Sequence, residues 1–173
     1  MAGNPLSCEI KGRYRSGYGF ELHIPAGLRA CNGWHRGWMI PLGKRTEDRY
    51  VTFGCGPNSS DMSEVGVESW ASELIESFLI EPDRQEARLI SRKSIRLGEE
   101  PAVRFVIRFR PAGAVEDVVE ENVTAFRAGA EGDAVDSYHF GLDLTTIASQ
   151  YERDRATFNA ILRSWVFIGA PLP

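Results

Sequence analysis

The side chains with the greatest chemical reactivity in this chain are three cysteines and three histidines. They are Cys8, Cys31, Cys55, His23, His35 and His139. No two cysteines have the CxxC spacing of zinc and thioredoxin-type sites, and no histidine has a second ligand at metal-binding spacing. The sequence therefore predicts no metal site.

The odd number of cysteines leaves at least one thiol unpaired. One disulfide with a remaining thiol is typical of an extracytoplasmic protein, whereas three reduced thiols are typical of a cytosolic one. If a disulfide forms, Cys31–Cys55 is the pairing that we predict. Alternatively, Cys55 lies between two glycines at a strand end, where a histidine brought close by folding would make it a nucleophile.

Other catalytic and cofactor motifs do not occur in the sequence. There is no G-x-S-x-G nucleophile elbow. Residues 54–57 precede a predicted helix but lack the lysine and the glycine spacing of a phosphate-binding loop. We therefore predict no catalytic residue and no cofactor.

The most unusual local composition is the segment GWHRGW at residues 33–38. Exposed Trp, Arg and His are enriched at interfaces, so we predict an interaction surface formed by residues 32–38 and the neighbouring loop at residues 54–60. The alternative is that the aromatic rings pack on the edge of a sheet. The residues predicted for this surface are Trp34, His35, Arg36, Trp38, Asn58 and Ser59.

The overall composition is that of a globular protein. The chain has 173 residues, which favours one domain, and 20 basic against 24 acidic residues give a net charge of −4. That charge argues against nucleic acid as a partner. No apolar run approaches the roughly 20 residues that span a bilayer. Residues 1–8 are predicted as a flexible N-terminus without signal-peptide features, so the chain begins either as a cytosolic protein does or after a removed signal.

The elements that must position these residues follow from hydrophobic periodicity. Alternating apolar residues predict strands, and the connections between the later strands are too short for parallel crossovers. Apolar residues at helical spacing predict one helix ending near Pro82 and another beginning near Glu152. The predicted strands cover residues 9–14, 20–24, 37–42, 51–55, 86–97, 103–109, 115–126 and 138–144, and residues 26–36 are predicted as a loop. This order predicts an α+β domain with a central antiparallel sheet flanked by helices.

One predicted strand carries a row of arginines. Arg104, Arg108 and Arg110 alternate with apolar residues and lie near an acidic strand at residues 115–124. We expect cross-strand ion pairs on a solvated sheet face. A binding face for a charged partner is the alternative.

Both ends of the chain resemble a known superfamily. The segment YGFELHIP at residues 18–25 resembles the opening strand of PsbP-like domains, and residues 138–165 resemble their final strand, turn and helix. The resemblance implies an α/β/α sandwich over residues 1–173. It also implies a binding or accessory protein, frequently extracytoplasmic in bacteria, with no shared catalytic residue.

These observations leave three functional hypotheses. The first is a non-enzymatic accessory or binding protein, bacterial and periplasmic or secreted, with a protein or small molecule as its partner. The second is a thiol-dependent enzyme that uses Cys55. The third is a cytosolic immunity or secretion-accessory protein.

Overall fold

A computed structural model describes residues 7–34, 37–43, 49–58, 60–129 and 137–169 of the protein. The strands within these residues are β1 (Gly12–Arg15), β2 (Phe20–Ile24), β3 (Cys31–Trp34), β4 (Gly37–Pro41), β5 (Tyr50–Pro57), β6 (Arg84–Leu97), β7 (Glu100–Pro111), β8 (Val118–Ala128), β9 (Ser137–Ile147) and β10 (Val166–Phe167). The helices are α1 (Ser60–Ile80) and α2 (Tyr151–Ser164), and a single 3-10 turn, Ala148–Gln150, leads into α2.

Seven antiparallel strands form the central sheet, in the order β3-β4-β5-β9-β8-β7-β6. Side chains alternate between the two faces of each strand. On β7, Val103, Phe105 and Ile107 form one core with Ala71 and Ile75 of α1. α1 therefore covers one face of the sheet, over β6, β7 and β8.

The opposite face carries the larger core. There α2 and a small sheet of three strands, in the order β1-β2-β10, pack on β5 and β9. Phe20, Phe140, Phe158 and Trp165 are fully buried in this core, and the rings of Phe20 and Trp165 stack with centroids 4.3 Å apart. The helices thus lie on opposite faces, and the predicted α+β domain with a central antiparallel sheet is confirmed.

The arginine row on β7 forms ion pairs on the α2 side of the sheet. Arg104 pairs with the fully buried Glu121 at 2.6 Å. Arg108 and Arg110 share Asp117, at 2.7 and 2.8 Å. The expected cross-strand pairing is confirmed for Arg104, whereas the other two arginines use an aspartate in the turn before β8.

The predicted Cys31–Cys55 disulfide is wrong. Cys31 is bonded to Cys8, and Cys55 is a free thiol. Cys31 stands at the start of β3, where the backbone N–H of Asn32 donates to the carbonyl of Ser7 at 3.0 Å. Residues 7 and 8 are therefore attached to β3 rather than flexible, and the rest of the predicted flexible segment, residues 1–6, lies outside the described residues.

Two further differences concern strands. β3 lies within the predicted loop at residues 26–36, and β5 continues to Pro57 through residues predicted as a loop. In each case pairing with a neighbouring strand overrides the local preference of Gly, Asn and Pro for turns. Among the described residues, neither helix is both long and apolar enough to cross a membrane.

Candidate functional site

The candidate site is a gap in the side chains on the α1 side of the sheet. Gly37 of β4 is paired in register with Gly54 of β5, which is paired in turn with Gly141 of β9. Directly paired residues project from the same face of a sheet. Three adjacent strands thus lack a side chain at the same level, which leaves a bare trough perpendicular to the strands.

Two residue pairs with polar side chains border this glycine row, and the second contributes only one such side chain. On one side Thr52 is paired with Asp143, and on the other Gly56 is paired with His139. The trough forms a cleft of about 330 Å³. Its lining residues are Gly37, Thr52, Phe53, Gly54, Cys55, Gly56, Pro57, His139, Gly141 and Asp143.

At two of these glycines, packing requires that no side chain be present. A Cβ atom on Gly37 would lie 2.7 Å from the carbonyl oxygen of Phe53, closer than real Cβ contacts. A Cβ atom on Gly56 would lie 3.0 Å from Cε1 of His139. At Gly141 a Cβ atom would meet only Oδ2 of Asp143, at an ordinary 3.7 Å. Of Gly37, Gly56 and Gly141, only Gly141 can therefore accept a Cβ atom without a clash.

His139 is fixed by Asn58, which follows β5. The Nδ1 atom of His139 lies 3.0 Å from Oδ1 of Asn58, and Nδ2 of Asn58 donates to the hydroxyl of Ser137 at 2.7 Å. Because an amide oxygen only accepts, Nδ1 is assigned the proton and Nε2 is left as an acceptor. Burial lowers the pKa of His139, which favours the neutral imidazole.

Asp143 is the acidic group of the cleft. Burial raises its pKa to about 7, and the negative charge of Glu120 adds to the rise. The hydroxyl of Thr52 donates to Oδ2 of Asp143 at 3.3 Å and opposes the shift. Near neutral pH a large fraction of this carboxyl group is therefore protonated, and it can both donate and accept hydrogen bonds.

Asn122 of β8 is the cross-strand partner of Asp143. It is only 9% exposed, and its Nδ2 atom has no hydrogen-bond partner among the described residues. A buried amide without a partner costs free energy, and such groups are rare in folded proteins. The amide group of Asn122, directly across from Asp143, is therefore a buried donor without a partner among the described residues.

The predicted interaction surface is only partly described. Asn58 contacts the cleft through His139, whereas the ring of Trp38 packs against Tyr14 in the core on the other face of the sheet, with centroids 5.5 Å apart. His35, Arg36, Ser59 and the side chain of Trp34 lie outside the described residues. β4 does pair with β5, so the two predicted segments are neighbours, as expected.

Cys55 does not have the surroundings of a catalytic thiol. Cys55 is paired with Phe140 and His139 with Gly56, so the side chains of Cys55 and His139 project from opposite faces of the sheet. Burial raises the pKa of Cys55 to about 12, which leaves very little reactive thiolate near neutral pH. The described residues also contain no group of three His, Cys, Asp or Glu side chains that could hold a metal ion.

The sequence contained the components of the cleft but not their arrangement. Gly54 and Gly56 stand at alternate positions at the end of one predicted strand, which indicates a stretch of its face without side chains. The pairing that aligns Gly37 and Gly54 with Gly141 joins residues far apart in the chain. No local signal in the sequence marks Asp143 and His139 as part of a site, because the periodicity and the family resemblance indicate only that their strand belongs to the scaffold.

The seven-stranded sheet with a helix on each face is a PsbP-like fold. The chain is similar to the solution structure of the cyanobacterial PsbP protein (CyanoP) of Synechocystis sp. PCC 6803, with a TM-score of 0.60 and 15% identity over 96% of this chain and 98% of that one. It is also similar to LpqN of Mycobacterium tuberculosis, described as involved in cell envelope biogenesis. That similarity has a TM-score of 0.57 and 10% identity, over 97% of this chain and 88% of that one. No protein-family model and no curated protein matches the sequence.

Proposed function

We propose that the protein is a non-enzymatic binding protein of the bacterial cell envelope, which holds a small uncharged polar ligand in the glycine-floored cleft. The observation that carries the proposal is the glycine row between the Thr52–Asp143 pair on one side and His139 on the other. A concave site with a few oriented polar groups is the usual form of a ligand site. Here the bare backbone of β4, β5 and β9 lets a ligand approach closely.

The chemistry of the bordering groups favours a neutral ligand. Nε2 of His139 is an acceptor on one side, and the carboxyl group of Asp143 can donate or accept on the other. A ligand with hydroxyl or amide groups would satisfy both sides. The same groups do not form a nucleophile–base pair, which is why we propose binding rather than catalysis.

The disulfide supports a location outside the cytosol. Reducing systems keep cytosolic thiols unpaired in most organisms, so a Cys8–Cys31 bond favours an oxidising compartment. The two similar structures come from bacteria, and one of them is described as involved in cell envelope biogenesis. An accessory role in the envelope agrees with both observations. No comparable observation favours the cytosolic immunity or secretion-accessory hypothesis.

Saturation-transfer NMR with three neutral probes tests the proposal: trehalose, N-acetylglucosamine and N-acetylglycinamide. We expect at least one probe to receive saturation from the wild-type protein. We expect Gly141→Val to abolish that signal, because the new side chain would project into the cleft. Gly17→Val is the matched control, since a Cβ atom on Gly17 meets nothing within 4 Å. The proposal fails if no probe binds the wild-type protein, or if Gly141→Val leaves binding unchanged.

A further inference from the structure

A second cleft lies at the base of the β1–β2 hairpin and is lined by a different set of residues. Its volume is about 580 Å³. The lining residues are Lys11, Gly12, His23, Ile24, Pro25, Ala26, Gly27, Leu28 and Arg29. Three of them are basic side chains, and none is acidic.

Strand register brings the basic side chains together. Ile10 and Ala30 form an isolated antiparallel bridge, and Lys11 and Arg29 are the next residues of the two bridged segments. Ala30 is fully buried, whereas Lys11 and Arg29 are both exposed and line the cleft. His23 is exposed on β2, where its backbone N–H donates to the hydroxyl of Ser164 at 2.8 Å.

These cations are not neutralised by neighbouring carboxylates. Within the described residues, neither Lys11 nor Arg29 forms an ion pair. The adjacent Arg13, by contrast, pairs with Glu21 at 2.5 Å. Like charges that line the same cleft repel each other, and an anion bound between them would remove that cost. The concentration of positive charge is notable in a chain whose net charge is −4.

The cleft also has an apolar part. Pro25, Ala26 and Leu28 lie in the turn that follows β2, whereas the side chain of Ile24 is fully buried in the core. A ligand that fits this lining has an anionic head group and an apolar part. We propose that this cleft binds a small amphipathic anion, with a phosphate or carboxylate group held by Lys11, Arg29 and His23 and an apolar chain lying on residues 25–28.

Amide NMR shifts of Gly12 and Gly27 report directly on this cleft. The probes are octyl phosphate below its micelle concentration, inorganic phosphate, and octyl glucoside as the uncharged amphiphile. We expect octyl phosphate to shift both glycine signals, inorganic phosphate to do so only at higher concentration, and octyl glucoside to leave them unchanged. Equal binding of octyl phosphate and inorganic phosphate would overturn the role of the apolar segment. Equal effects of the two octyl compounds would overturn the role of the charges.

Charge reversal separates this site from general electrostatic attraction. Lys11→Glu and Arg29→Glu should each weaken octyl phosphate binding about tenfold or more, because each removes a charge-assisted hydrogen bond. Lys93→Glu changes the net charge by the same amount at an exposed position on β6 and should leave binding unchanged. If both cleft variants fold, as judged by their spectra, and bind as tightly as the Lys93→Glu control, the proposed site is wrong.

Discussion

The two clefts use glycine for different physical reasons. In the cleft over β4, β5 and β9, Gly37 and Gly56 are crowded, and a Cβ atom would lie 2.7 and 3.0 Å from a neighbouring atom. In the cationic cleft, a Cβ atom on Gly12 or Gly27 would meet nothing within 4 Å, but the backbone has φ values of +68° and +86°. The first cleft needs the absence of a side chain, and the second needs the left-handed backbone that glycine adopts readily.

This difference separates two ways of building a concave surface. The glycine-floored cleft is a set of missing side chains within a rigid seven-stranded sheet. Of its bordering groups, burial favours the neutral imidazole of His139, and the carboxyl group of Asp143, with a pKa of about 7, is about half protonated near neutral pH. The cationic cleft lies at a turn that is closed by the Cys8–Cys31 disulfide and the Ile10–Ala30 bridge, and basic residues line it. The first arrangement suits a neutral ligand, and the second suits an anion.

Loss of the disulfide should give the largest effect and should separate the two clefts. We expect Cys31→Ser to lower the free energy of unfolding by about 3 kcal/mol, because the bond closes a loop with a sequence separation of 23. Urea unfolding with and without dithiothreitol measures the change. Dithiothreitol should destabilise the wild-type protein but not the variant. The spectrum of the reduced protein should change around Gly12 and Gly27 and not around Gly141; changes of equal size at both clefts would contradict the distinction.

Adding a methyl group to the floor of the first cleft should lower the free energy of unfolding by less than loss of the disulfide does. Gly37→Ala forces the Cβ atom against the carbonyl oxygen of Phe53, so β4 and β5 must shift apart. We expect a loss of about 2 kcal/mol in urea unfolding. Gly17→Ala is the control and should stay within about 0.5 kcal/mol of the wild type. Equal stability of the two variants would show that the glycine row is not required by packing.

Much of the fold could be predicted from local patterns, whereas the clefts could not. Alternation at residues 103–109 predicted β7 and its buried face, and helical spacing placed the start of α2 within one residue of Tyr151. The glycine row depends on which strands pair and in which register. Gly54 and Gly141 are 87 residues apart in number, and no local pattern aligns them. Similarly, spacing alone could not choose Cys8 over Cys55 as the partner of Cys31.

The pH dependence of stability tests the electrostatics of the first cleft. The pKa of Asp143 is raised to about 7 in the folded state, from about 3.9 in an unfolded chain. The stabilisation from its protonated form is therefore complete below about pH 4 and is lost as the pH rises through 7. Asp143→Asn should match the wild-type protein at pH 4 and be the more stable of the two at pH 8, because asparagine has no proton to lose. A difference that does not change between pH 4 and pH 8 would contradict the raised pKa.

The smallest effect should come from the turn of the second cleft. Gly27→Ala keeps the open space but places an alanine at a φ of +86°, which should cost about 1 kcal/mol. Gly27→Asn should recover part of that loss, because asparagine tolerates the left-handed region. Thermal unfolding of both variants and of the wild-type protein measures these differences in stability. If the Gly27→Ala variant proved as stable as the Gly27→Asn variant, the conformational role of Gly27 would be refuted.

One amide NMR titration tests the central claim that the molecule has two clefts of different chemistry. The signals of Gly54, Gly56 and Gly141 report on the first cleft, and those of Gly12 and Gly27 report on the second. We expect the neutral probe that binds the wild-type protein to shift the first set only, and octyl phosphate to shift the second set only. Shifts of the same glycines by both probes, or of neither set by either probe, would contradict the account.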